Sequence, residues 1–158
     1  MGRIMRVSTP VDVTVVAGNT IIAVECTTGT TTLGIRRWGL YFRGTSATAS
    51  PISVEICRCS ALGAGTNIPF GSAASARFVS VDGQLAATPA SLARYNSLGG
   101  DTITEILNNI CIHPQGGYES VENPPIPIGA AGGSEFFAIR IQNAGTDPLA
   151  RAWIEFEE

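Results

Sequence analysis

Cys57 and Cys59 stand one residue apart, and so do Cys111 and the single histidine, His113. Thiolate and imidazole are the common zinc ligands, and residues i and i+2 of a strand point to the same face. If the two strands were neighbours, these four groups would converge. The spacing argues against a zinc site, because C-x-C and C-x-H are not the usual knuckle spacing, and cysteine is a common small buried residue. The expectation is packing thiols, with this quartet as the one metal-type cluster to check.

Nucleophilic catalysis would have to use His113. Its neighbour Cys111 lies on a strand rather than a nucleophile elbow, and no G-x-S-x-G surrounds a serine. Asp82, Asp101, Glu119 and Glu122 lie near loops where an acid/base pair could form, and Asp101, Asp147 and Glu135 lie near glycines where Ca²⁺ could bind. None follows a recognisable ligand order. The glycine runs "LGAG", "SLGG" and "AAGG" lack a nucleotide-binding context and read as turns. The chain is expected to be no enzyme and to hold no cofactor.

The elements that would position these residues are strands. Runs near 11–16, 20–26, 32–43, 51–59, 75–81, 103–113, 118–122, 134–142 and 149–157 are separated by turn signals such as "AGNT", "HPQGG" and "NAGTDP". Eight or nine short strands predict an all-β fold, a β-sandwich or jelly roll, as one domain over 11–158. Residues 1–10, ending in proline, read as an N-terminal arm, and 60–102 as a long irregular insertion with one helical turn near 89–98.

Charged residues make up only 15% of the chain, well under the usual quarter, and every basic residue is arginine. Arginine is enriched and lysine depleted at protein interfaces, although a GC-rich genome has the same signature. A net charge of −3 without a dense basic cluster argues against nucleic acid as a partner. No apolar run reaches membrane-spanning length, and the first twenty residues lack a continuous apolar leader. The cysteines are therefore expected as reduced thiols in a protein made in a cytoplasm.

Alternation divides each strand into a core face and a second face. Ile52, Val54 and Ile56, Ile106, Ile110 and Ile112, Phe137, Ile139 and Ile141, and Ala150, Ala152, Ile154 and Phe156 read as core. The second faces carry Cys57, Cys59, Leu107, Cys111, Phe136, Arg140, Arg151 and Trp153, where water would favour a cleaner polar pattern. Either the chain's own loops, notably 60–102, cover them, or sister subunits do.

The stretch "RRWGLYFRGTSATASPISVEICR" and the ending "GGSEFFAIRIQNAG…ARAWIEFEE" resemble small all-β virion proteins of tailed bacteriophages. The resemblance rests on Arg36 to Arg43, Gly44 to Thr48, Pro51 to Arg58 and Trp153 to Glu158, with the middle of the chain unmatched. It implies a capsid decoration (cement) protein, a homotrimer on the outer surface of the head whose partner is the major capsid protein. It supplies no catalytic residue. Candidate contacts are Arg3, Ile4 and Arg6 on the arm and Arg36, Trp38, Tyr41, Phe136, Arg140 and Trp153 on the sheets. A tail-fibre or receptor-binding knob is the alternative and would display Phe70, Phe78, Tyr95 or Tyr118 in loops around a carbohydrate cleft. A small β-sandwich hydrolase or cupin-like metalloenzyme is the third reading, disfavoured by the single histidine.

Overall fold

The computed structural model describes residues 2–27, 32–44, 50–71, 78–81, 91–129, 134–143 and 148–158, apart from the side chain of Leu98. It is a sandwich of two antiparallel sheets. The strands are β1 (Ile4–Ser8), β2 (Val13–Thr14), β3 (Asn19–Cys26), β4 (Thr32–Phe42), β5 (Ile52–Ala61), β6 (Thr66–Ile68), β7 (Phe78–Ser80), β8 (Ser91–Leu98), β9 (Thr102–Ile112), β10 (Gly117–Gly129), β11 (Glu135–Ile141) and β12 (Leu149–Glu157). The first sheet runs β10-β4-β12-β1-β7, with β2 against β12, and the second runs β6-β8-β3-β11-β5-β9.

The expected core alternation holds in β5, β11 and β12, whose apolar residues of one parity meet between the sheets. It fails in β9. Leu107 and Ile110 pack on the core, while Ile106 is exposed. A register shift against β5 at Leu107 explains this, because the extra residue reverses the alternation that follows.

The same device acts in β4. Arg37 pairs with Glu155 and Ile35 with Phe156, which leaves Arg36 as the extra residue. Leu33 and Ile35 before the bulge, and Trp38, Leu40 and Phe42 after it, therefore share the core face. Trp38 is thus a buried core residue and not the surface contact proposed for it. Its indole N–H donates to Glu122 Oε1 at 2.8 Å, and its ring packs against Tyr118.

Two local expectations are corrected by long-range pairing. Residues 4–8 are not an arm but a strand, paired along its whole length with β12 and flanked by β7. Residues 91–98 are strand β8, paired with β3, rather than a helical turn. In both, a partner distant in sequence supplies the hydrogen bonds that local propensity could not foresee.

Candidate interaction surface

The two outer faces of the sandwich differ. On the second sheet, β5 and β9 lie at one side and β6 and β8 at the other. The connections 62–65 and 99–101 must therefore cross the sheet. They do so over its outer face, where Leu62 packs on Ala23, Cys57, Cys59, Phe136 and Ala138.

Asp101 pins this crossing. Its carboxylate accepts the Gly63 N–H at 2.8 Å, the Ser97 hydroxyl at 3.1 Å and the Thr20 hydroxyl at 2.5 Å. Arg140 lies 3.9 Å from the same carboxylate and donates to Glu55 at 2.7 Å. Nearby, Arg94 pairs with Glu25 and lies over the Phe136 ring. Two expected contacts, Phe136 and Arg140, are thus engaged by the chain itself. Of the two explanations for apolar second faces, cover by the chain's own segments holds on this sheet.

The thiol quartet does not assemble. Cys57 and Cys59 lie buried with their sulfurs 3.7 Å apart, while Cys111 is exposed opposite Ser53. Ser53 is four residues from Cys57, about 13 Å along the strand. No group of three His, Cys, Asp or Glu side chains placed to hold a metal occurs among the described residues. The Cys57 thiol is pushed well above its ordinary range by its hydrogen bond to Cys59 and by burial, whereas that bond lowers Cys59. Native protein is therefore expected to titrate one thiol rapidly with a disulfide reagent such as DTNB, and all four only after unfolding. Fast reaction of three would contradict the buried pair.

The described loop carboxylates are each engaged by donors of the chain itself. Glu119 accepts the Tyr41 hydroxyl, Glu122 accepts Trp38 and the Ser120 hydroxyl, and Glu135 holds the Gly129 N–H at 2.7 Å. Asp82 and Asp147 lie outside the described residues.

The outer face of the first sheet has no comparable cover among the described residues. Register places Trp153 opposite Gly39 and Tyr41 opposite Gly117. Each ring lies across the glycine it faces: a Cβ at Gly39 would come within 2.5 Å of Trp153 Nε1, and one at Gly117 within 2.3 Å of Tyr41 Cδ1. Only glycine allows these aromatics to lie flat on the sheet. Arg6 from β1 and Arg37 from β4 both stack on Trp153, at 4.4 and 5.7 Å from the ring centroid.

Shallow depressions of about 240–330 Å³ adjoin this platform. Tyr41 and Arg151 line two of them, and Arg36, Arg37, Val121 and Pro125 line the other. Asp12 joins Arg151 at 2.5 Å and Arg43 at 2.9 Å, and these bonds hold its carboxyl below the ordinary range. This exposed link is therefore lost only as pH falls through that lowered value.

Of the remaining candidates, Arg3 pairs with Glu158 beside the ladder that joins the two chain ends. Ile4, Arg6, Tyr41 and Trp153 all belong to the first sheet's outer face, with Arg36 in the bulge of β4 between β10 and β12. The contact set named from the sequence omits Arg37, Arg151 and Val121, which complete this surface, although alternation already places Arg151 on a second face. The signal for Arg37 was the adjacent arginine pair in mid-strand, which marks the bulge. Of the aromatics expected in loops, Phe70 lies between β6 and β7, half-buried against the core, while Phe78 is buried in β7 and Tyr95 and Tyr118 belong to β8 and β10. Comparison with protein-family models, curated proteins and solved structures returned no match.

Proposed function

We propose that this chain is a structural protein of a tailed-bacteriophage virion: a capsid decoration protein that sits as a homotrimer on the outer surface of the head and bridges major capsid subunits. The observation that carries this reading is the contrast between the two outer faces. One is covered by the chain's own crossing segments, and the other presents Tyr41 and a set of arginines, two of which lie over Trp153 and leave that residue 8% exposed. Tryptophan, tyrosine and arginine are the residues that dominate binding energy at protein interfaces.

The strand orders add support. One sheet contains the order β10-β4-β12-β1 and the other β3-β11-β5-β9, and strands β9 to β12 alternate between the sheets, an interleaving that supports the jelly-roll reading, a fold used by viral capsid proteins. A decoration protein acts mechanically. Binding only the assembled shell stabilises that shell by mass action, and many symmetric copies allow each contact to be modest.

The test is co-sedimentation with purified empty heads, alongside the solution mass by light scattering. The expected results are retention on the heads, loss of retention by at least tenfold in Trp153→Ala, and a mass of three 16.5 kDa chains. A monomer that fails to bind heads at high concentration overturns the proposal.

A further inference from the structure

We infer that the Arg6–Trp153–Arg37 face, extended by Arg36, is a docking site for an acidic, extended segment of a partner protein. The inference deepens the decoration reading by naming the chemistry of the partner, and it rests on that face being the contact side.

The first argument is the distribution of ion pairs. Arg3, Arg43, Arg58, Arg94, Arg140 and Arg151 each pair with a carboxylate. Among the described residues, Arg6, Arg36 and Arg37 pair with none, and they come from the same region of the first sheet. Arg6 and Arg37 lie opposite Glu155 in the register, yet neither guanidinium comes within 4 Å of its carboxylate. Both instead lie against the Trp153 ring. The donors of these guanidinium groups thus remain available to a carboxylate from outside, and an arginine fork held on an aromatic ring is already ordered for bidentate binding.

The second argument is shape. β12 separates β1 from β4, so Arg6 and Arg37 arise two strand spacings apart, about 10 Å, and Arg36 and Arg37 open onto the depression beside Val121 and Pro125. Positive charge spread over that width suits several carboxylates on an extended chain better than one small anion. Val121, 69% exposed, offers that chain an apolar contact. A phosphate backbone is less suitable, because nucleic-acid interfaces are much more positively charged than protein–protein interfaces, and only three unpaired arginines gather here among the described residues.

The experiment uses a capped hexaglutamate peptide as probe, with hexaglutamine and a thymidine hexanucleotide as controls, followed through the indole N–H signals of the full chain by NMR. Trp38→Phe assigns the two indoles. Hexaglutamate is expected to shift the Trp153 signal saturably and leave Trp38 in place, while hexaglutamine does neither. Arg36→Gln combined with Arg37→Gln is expected to weaken binding at least fivefold. Glu155→Gln, which removes a competing carboxylate, is expected to tighten it severalfold, a gain that damage to the fold would not produce. Absence of a saturable shift, an equal effect of hexaglutamine, or tighter binding of the hexanucleotide overturns the inference. Because the probe requires no head, binding of hexaglutamate and retention on heads can fail independently.

Discussion

Arg140→Met is expected to lower global stability by about 3–5 kcal/mol, the cost of breaking a buried charge pair by removing one partner. The guanidinium lies 2.7 Å from Glu55 and 3.9 Å from Asp101, whose side chains are only 5% and 1% exposed. Methionine fills much of the same space but leaves both carboxylates without their cation. Asp101 retains its hydrogen bonds to Gly63, Ser97 and Thr20, whereas Glu55 loses the arginine hydrogen bond that it accepts. The loss should therefore fall chiefly on the Glu55 side. Urea unfolding followed by fluorescence measures it, and Arg6→Met is the comparison, expected to stay within about 0.5 kcal/mol because Arg6 is exposed and unpaired. A shift below about 1 kcal/mol for Arg140→Met would mean that the charges are solvated, and would return Arg140 to the list of partner contacts.

Gly63→Ala is expected to cost about 2–3 kcal/mol by forcing apart the two segments that cross the second sheet. A Cβ at Gly63 would lie 1.5 Å from the Gly99 carbonyl oxygen, which is backbone and cannot rotate away. The 62–65 segment would have to lift, weakening the Gly63 N–H bond to Asp101 and the packing of Leu62 on Cys57 and Cys59. A thiol readout separates this from general destabilisation. Cys57 and Cys59 should become reactive in the variant under native conditions while Cys26, buried in the main core, stays protected. If the variant still titrates one thiol, the crossing segments are not what seals that face.

The expected effects divide as the two faces do. Changes on the second sheet's outer face should act on stability, because the chain itself occupies it. Changes at Arg6, Arg36 and Arg37 on the first sheet should act on binding, because these arginines pair with no carboxylate among the described residues.

How much of this was legible beforehand depended on the range of the interactions involved. The all-β class, the main strands and the core parity of β5, β11 and β12 follow from alternation and turn residues, which are local properties of the chain. So does the mixed character of the second faces, visible in Phe136, Arg140 and Trp153. The register shifts were not legible, because a bulge is set by pairing with another strand. They bury Trp38, expose Ile106 and draw Leu107 onto the core. Nor could local pattern show that residues 4–8 would find their ladder at the far end of the chain.

Composition was sufficient to say that apolar and charged groups share strand faces here, because side-chain alternation is built into the extended backbone. Which of those faces the described segments of the chain cover was decided only by tertiary structure. β5 and β6 lie at opposite sides of one sheet, as do β8 and β9, so their connections had to cross Cys57, Cys59 and Phe136, whereas Trp153 on the other sheet is covered by Arg6 and Arg37. That choice depends on strand order, which arises from contacts between residues distant in the chain and has no signature in any short stretch of it.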